Sequence, residues 1–439
     1  MRRAAPHLDA FHGRHAPSWY ADSLNDTLDF PALAAQTLDT DVCVVGGGLT
    51  GLSTALELAE QGVRVVLLEG ALIGFGASGR NGGQVLHGFA CPTSRLARQL
   101  GAAGAQRCWE LSLEGVAALK ARVARYAIDC DLRWGYVTVA ENPRQLRALQ
   151  DWRATLLRLG YRHTQLLTGA ALSEEIDSPA YIGGLHDSGC GSLHPLRYTR
   201  GLARAAAGLG AQLFERTRVA RIVEQAGRAT VHTADGGTVH ADRLVLACNV
   251  DVAALRPGLA QRFLTVASHI IATEPLPVAL RARLLPREAA ICDSRHVLNY
   301  YRLSSDGRLL FGGRLKRQHA DQAAIRAERQ AEMARVFPAL ADVAIDYSWG
   351  GYIDMGLNKV PQFGRHSPRI LYAQGFAGHG VALTGLAGQL MARAIVEDDA
   401  GFELLTRLKA PSVPLAGIAD AALIRLGVAF YRLCDRLGW

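Results

Sequence analysis

Residues 41–51 read Asp-Val-Cys-Val-Val-Gly-Gly-Gly-Leu-Thr-Gly, and no other stretch restricts the fold as much. Val42 to Val45 is an apolar run with the length of a short buried strand. Gly46, Gly48 and Gly51 follow at G-x-G-x-x-G spacing, and Leu52 to Glu60 shows helical periodicity. Gly46 permits the tight turn, Gly48 lets a pyrophosphate approach the backbone, and Gly51 lets the helix pack close to the strand. The helix start then offers free N–H groups and a positive dipole end to that pyrophosphate. Such spacing alone is weak evidence in a chain with 46 glycines. The context is what makes it specific. Gly62 ends the helix, Val63 to Leu68 is a second apolar strand, and Glu69 stands at its end. A carboxylate there can hold both ribose hydroxyls and repels a 2′-phosphate, so NADP is disfavoured.

A chain of 439 residues is too long for one compact core, so two interleaved domains are expected. The formal charge of +8 comes from scattered arginines rather than a basic stripe with interleaved aromatics, which argues against nucleic acid. A mildly positive field suits anionic cofactors and acidic substrates. The eight cysteines are dispersed, with no C-x-x-C and no Cys/His cluster at zinc spacing. Buried, reduced thiols of a cytoplasmic protein are the reading. Two early arginines are followed by no apolar core, so no signal peptide is expected. No run of about 20 apolar residues exists, so no transmembrane segment is expected either.

Residues 1–39 read as a polar arm anchored by Ser18-Trp19-Tyr20. Residues 74–84, Gly-Phe-Gly-Ala-Ser-Gly-Arg-Asn-Gly-Gly-Gln, are too small and polar for a packed element. A loop of this composition can run along a flat ligand with its backbone close. Helices are expected over 94–126, 143–159, 196–208 and 320–337, and strands over 134–140, 181–186, 211–215, 218–223, 229–234 and 243–248. Residues 189–195 read as a turn-rich link. From 262 to 273 and from 297 to 313, alternation suggests an antiparallel sheet, in which Tyr300 and Tyr301 must face opposite sides. Strands over 343–349 and 370–373 lead to a second glycine-rich turn, Gly375-Phe-Ala-Gly-His-Gly380, and a small-residue helix over 381–396. That turn is not a second dinucleotide fingerprint, yet it can face the same ligand as the first. Residues 401–439 end in an amphipathic helix, with Ile418, Leu423, Leu426, Phe430, Leu433 and Leu437 near helical period. It can dock on its own body, or make peripheral contact with a membrane surface or a partner.

One dinucleotide site without a second argues for tightly held FAD rather than a flavin reduced by a nicotinamide. There is no serine nucleophile elbow, no pair of catalytic carboxylates and no set of metal ligands at helical spacing. The reactive group is then the cofactor, with the protein supplying position and electrostatics. Several segments resemble the FAD-dependent amine and amino-acid oxidases of the D-amino-acid-oxidase superfamily, of the glycine oxidase and sarcosine oxidase type. They are VVGGGLTGLS (44–53), IGFGASGRNGGQ (73–84), HPL (194–196), IATEPL (271–276), NYYRL (299–303), LLFGGR (309–314), FPAL (337–340), VPQFGR (360–365) and GFAGHG (375–380). ASGRNGGQ, IATEPL and NYYRL point to the γ-glutamylputrescine oxidoreductase subgroup.

The resemblance implies an α/β fold. A Rossmann-like FAD-binding domain of the glutathione-reductase type (40–125, 188–260 and 345–400) is interleaved with an antiparallel-sheet substrate domain (126–187 and 261–344). It puts non-covalent FAD on the turn of Gly46, Gly47, Gly48, Leu49, Thr50 and Gly51, with Glu69 at the ribose. Ala77, Ser78, Asn81, Gly82, Gly83 and Gln84 would follow the ribityl and ring portion, and Val219 would hold the adenine side. Gly378, His379, Gly380, Val381, Ala382 and Leu383 would sit at the edge of the ring. His379 would touch the ring or merely cap its turn. Tyr301 and Arg302 would line the substrate cavity, with a structural ion pair as the alternative for Arg302. Sarcosine-oxidising relatives carry a substrate-binding lysine where this chain has Ala382, and an oxygen-activating lysine where it has Leu309-Leu310-Phe311. The first departure favours an amine over an α-amino acid, and the second leaves O2, a quinone or a carrier protein open as electron acceptor. The activity implied is oxidation of a small amine, such as a γ-glutamylated polyamine, to an imine and then an aldehyde, with H2O2 as by-product. An amino-acid or imino-acid dehydrogenase and a flavin-containing scaffold are the alternatives.

Overall fold

A computed structural model describes residues 13–225, 227–316, 322–413 and 420–437. The first twelve residues of the expected arm, the start of the helix expected from 320, and 414–419 and 438–439 of the expected tail lie outside them. Two sheets organise the chain. In the first, the strands Gln362–Ser367, Ile370–Gln374, Thr238–Leu246, Thr37–Val45, Val65–Leu68 and Gln212–Phe214 lie side by side. The four pairings from Ile370–Gln374 to Gln212–Phe214 are parallel. Cys43, Val44, Val66 and Leu67 are buried at its centre, as expected for a sheet covered on both faces. A hairpin of Val219–Gln225 and Arg228–Thr233 is added antiparallel to Thr238–Leu246.

The helix Leu49–Glu60 crosses from the first strand and packs against Val381–Val396, the helix after the second glycine-rich turn. A Cβ on Gly388 would lie 2.6 Å from both Ser53 Cβ and the Thr54 nitrogen. Close backbone approach, and not conformational freedom, requires that glycine. The long helix Thr93–Arg125 covers the same layer, broken at Gly101 (φ +76°), and a buried Arg122–Glu57 ion pair ties it to the first helix.

The second sheet has the order Ile345–Met355, Leu264–Thr273, Leu309–Lys316, Asn299–Leu303, Ala290–Asp293, Arg133–Ala140, Gly183–Ser192 and Gln84–Val85, with Thr164–Thr168 beside Gly183–Ser192. All its pairings are antiparallel except Ala290–Asp293 with Arg133–Ala140. Two details differ from the expectation. Ile345–Met355, assigned above to the nucleotide-binding part, pairs with Leu264–Thr273 along most of its length. The first part of the link expected over 189–195 is strand, because Gly183–Ser192 continues to Ser192. Its glycines make room for neighbours: a Cβ on Gly189 would lie 2.1 Å from the Tyr161 hydroxyl, and one on Gly191 2.1 Å from the Arg133 carbonyl oxygen.

The arm is anchored as expected. Ser18 caps the short helix Trp19–Asp22, and the buried Trp19 and Tyr20 pack on His194 and Trp349. The tail helix Asp420–Leu437 docks on the body: Asp435 accepts hydrogen bonds from the backbone nitrogens of His296 (2.7 Å) and Val297 (3.1 Å), and Tyr431 stacks on His296.

Candidate active site

The two glycine-rich turns, some 330 residues apart in sequence, line one cavity of about 170 Å³. Gly46, Gly48, Leu49 and Thr50 come from the first turn, and Gly378, Gly380, Val381 and Thr384 from the second. Ala77, Ser78 and Asn81 form a further wall, and Glu69 stands at the end of the second strand. A larger cavity of about 590 Å³ adjoins it, and Ala77, Arg80, Asn81, Gly351, Gly378 and Val381 line both.

The first turn is held open by bare backbone. Gly46 has φ +114°, and a Cβ there would lie 2.5 Å from the Ala247 carbonyl oxygen. A Cβ on Gly48 would meet Ser78 Oγ at 2.7 Å, and one on Gly51 the Gly46 carbonyl oxygen at 1.9 Å. Side chains at these positions would therefore collide with the chain itself and displace the turn at the helix start, where an anion is favoured. Glu69 accepts from the Gly47 nitrogen (2.6 Å) and the Ala71 nitrogen (2.8 Å). Burial outweighs those two donors and pushes its carboxyl up to about 7. The residues present fit a dinucleotide: a diphosphate at the bare turn, a ribose at Glu69, and a flat ring system toward the larger cavity.

The loop from Ala77 to Gln84 is built by its own polar side chains. Ser78 Oγ accepts from the Leu49 nitrogen (2.9 Å). Asn81 donates to the Ala77 and Ser78 carbonyls (both 3.0 Å) and accepts from the Gly83 nitrogen (2.8 Å). Gln84 donates to the Ile291 carbonyl (3.1 Å), and with Gly82 it lines the larger cavity. The second turn is fixed by Asp354, which sequence reasoning missed: its carboxylate accepts from the Gly375 nitrogen at 2.5 Å, and burial raises it to about 6. No local motif marks this aspartate.

Several expected site residues lie elsewhere. Tyr301 does not line either cavity; it stacks on Phe311 in the core and its hydroxyl donates to Tyr181 (3.1 Å). Tyr300 lines the larger cavity instead, wedged where a Cβ on Gly82 or Gly312 would come within 2.6 Å of its ring. The strand's two-residue period decides between them. Arg302 is 4% exposed and makes no ion pair among the described residues. It donates to the carbonyls of Gly82 (3.0 Å), Leu193 (2.8 Å) and Leu303 (3.2 Å), clamping the loop from behind. Val219 lines neither cavity and packs beside the core of the first sheet. Gly47, Gly51 and Gly83 shape their turns from within, while Ala382 and Leu383 are buried in their helix. His379 lines the larger cavity and donates from Nε2 to the His87 carbonyl (2.8 Å). Burial lowers its pKa to about 4, so the ring is neutral at physiological pH.

The larger cavity holds a polar cluster that no sequence motif announced. Asp187 accepts from His87 Nε2 (2.7 Å), the Tyr161 hydroxyl (2.6 Å) and the Gly189 nitrogen (2.9 Å). Burial alone would raise its pKa, but His87 and the hydrogen bonds prevail and hold it below the usual carboxylate value. Asp187 is the only carboxylate among the described lining residues, and Phe89, Trp109, Tyr136 and Trp152 line the same cavity. His87, Asp187 and Cys190 bring potential metal-ligating atoms within 4.8 Å of one another. His87 lies 100 residues before Asp187 in sequence, beyond the reach of periodicity.

Comparison with known proteins fits this geometry. Residues 41–394 match the family model of the FAD dependent oxidoreductases (DAO). The chain belongs to this family. Members of the DAO family are FAD-dependent, and the protein is accordingly an FAD-dependent oxidoreductase. It is 42% identical to the probable oxidoreductase OrdL of Haemophilus influenzae, over 98% of this chain and 99% of that one. It is 37% identical to the gamma-glutamylputrescine oxidoreductase of Escherichia coli, over 97% and 99%. Among solved structures, glycine oxidase of Geobacillus kaustophilus superposes with a TM-score of 0.71, at 23% identity, covering 85% of this chain and 100% of that one. The mixed α/β fold expected for the chain is therefore the one it shares with glycine oxidase.

Proposed function

We propose that this DAO-family member oxidises a primary amine of the γ-glutamylputrescine type. FAD would lie with its diphosphate at Gly46–Gly51, its ribose at Glu69 and its ring between the 77–84 loop and the 378–380 turn. The observation that carries the amine reading is the larger cavity: one ionised carboxylate, Asp187, among aromatic rings, which is how proteins receive ammonium groups. The relation to the Escherichia coli enzyme over nearly the whole chain supports the substrate class.

Bound FAD supplies a two-electron acceptor for the C–H bond beside the amine nitrogen. The chain's own contribution is placement. Tyr300 walls the cavity against Gly82, and Trp109, Tyr161 and His87 pack edge-on at the Asp187 end. Where such packing excludes water, every electrostatic contact inside is strengthened. His379 donates its Nε2 proton to a carbonyl and no side chain is assigned as the base, so the ammonium received at Asp187 must give its extra proton to solvent before the C–H bond breaks. The oxidised substrate is an imine; water converts it to an aldehyde and ammonia. Its two electrons and two protons reach O2, giving H2O2.

A second reading of the acceptor is a membrane quinone, and one observation favours it. Leu426, Phe430 and Leu433, at helical spacing on the tail helix, are 69%, 59% and 52% exposed. No helix of the described residues is long and apolar enough to cross a membrane, so such contact would be peripheral. The experiment is anaerobic mixing of the FAD-loaded protein with γ-glutamylputrescine, putrescine, glycine and sarcosine, followed by air or a soluble quinone. Bleaching by γ-glutamylputrescine, and H2O2 on admitting air, is the expected result. Bleaching by the amino acids alone would overturn the reading, and reoxidation by quinone without peroxide would select the second acceptor.

A further inference from the structure

The chain has only four lysines among its 48 basic residues, and Lys359 is the one that lines the larger cavity among the described residues. Its position is costly. Lys359 has φ +56°, a left-handed conformation that a lysine adopts at some strain, and one that recurs at ligand sites. Its ammonium lies 5.7 Å over the Tyr431 ring of the tail helix, and among the described residues no carboxylate forms an ion pair with it.

A second cation adds to the anomaly. Arg95, in the first turn of the helix Thr93–Arg125, is close enough that its charge acts on Lys359, and it too has no carboxylate partner among the described residues. Its Nε is buried with no hydrogen-bond partner. Burial first, and then Arg95, lower the Lys359 pKa from its ordinary value. Exposed cations without partners are ordinary, because water solvates them. One cation on the cavity wall, with a second close by that carries a buried unsatisfied donor, lacks an anion that the described residues do not supply.

We infer that Lys359, backed by Arg95, forms an anion subsite that selects amines carrying a carboxylate at the end remote from the oxidised carbon. This rests on the amine reading above and adds the recognition of the second end. Asp187 and Lys359 then give one cavity two opposite charges, suited to a substrate with an ammonium at one end and a carboxylate at the other. A plain diamine would lack the second contact.

The test uses FAD-loaded protein and two N-acylputrescines of equal length, one ending in a carboxylate and the other in a neutral amide. A charge-assisted contact corresponds to roughly ten- to hundredfold in affinity. Lys359→Met should raise KM for the carboxylated compound at least about tenfold. It should leave kcat, and KM for the amide, within about twofold, with Lys359→Arg restoring most of the loss. Arg95→Met, on a different element, should shift the same substrate in the same direction. Equal changes for both compounds, or no change, would overturn the subsite. If neither compound bleaches the wild-type flavin, it is the amine reading that fails. Calorimetric binding of the carboxylated compound to wild type and Lys359→Met then decides the subsite: a tenfold difference supports it and equal affinity refutes it.

Discussion

Replacing Arg302 separates two accounts of one side chain. Its place in the NYYRL segment implies a residue of the substrate cavity, whereas its contacts make it a clamp on the cofactor loop. The guanidinium bonds the carbonyls of Gly82, Leu193 and Leu303 and lies 3.3 Å from the Tyr20 hydroxyl. Arg302→Met keeps most of the volume and removes every donor. Each hydrogen bond to a charged group contributes about 1.5–3 kcal/mol, and a buried acceptor left unpaired costs about 1–3 kcal/mol. Since the contacts act as a unit, the loss is less than their sum, about 3–5 kcal/mol in all. Because Gly82 and Gly83 lose their backing, FAD retention should weaken in parallel. The assay is urea unfolding of the apo-protein, FAD affinity by fluorescence, and steady-state kinetics at saturating FAD. Lower stability and weaker FAD binding, with KM for the amine within about twofold, are expected. A large KM rise with unchanged stability and FAD affinity would refute the clamp and return Arg302 to the substrate.

Three further outcomes follow from the geometry. Gly46→Ala places a Cβ 2.5 Å from the Ala247 carbonyl at φ +114°, so the variant should purify colourless and take up little added FAD, read by absorbance near the flavin bands. Asp187→Asn keeps the shape but removes the charge in the aromatic chamber; KM for the cationic amine should rise about ten- to hundredfold with FAD content unchanged. Glu69 is raised to about 7 in the folded chain, so its contribution to apo-protein stability is complete below pH 4.5 and lost as pH rises through 7. Wild-type apo-protein should lose up to about 3 kcal/mol over that window relative to Glu69→Gln, measured by urea unfolding at stepped pH.

How far the chain was legible depends on the range of the forces involved. The strand–turn–helix at 42–60 and the helix at 381–396 are local matters of apolar spacing and glycine, and both form where the pattern puts them. That the two turns share a cavity also followed, because each ends a strand of one parallel sheet and starts a helix. The alternation in NYYRL correctly separates Tyr300 from Tyr301, but which of them faces the cavity is set by pairing with Leu309–Lys316 and the core behind it. Tyr301, expected at the cavity, faces the core instead. The Asp187 cluster depends on the register of Arg133–Ala140 and Thr164–Thr168 against Gly183–Ser192, which brings His87 and Tyr161 to one carboxylate. Gly189 and Gly191 look like a turn because glycine signals both bending and crowding, and only the neighbours tell which.

The distance along the polypeptide between the turns has a temporal side. Translation proceeds at about 5–20 residues per second, so roughly 20–70 seconds separate the appearance of Gly51 from that of Thr384. On the proposed placement the cofactor has only half a seat throughout that interval, and the first helix lacks the neighbour that Gly388 brings against it. Loading with flavin would then be an event of the nearly finished polypeptide, and a shortage of cofactor would act on completed molecules rather than on those still on the ribosome.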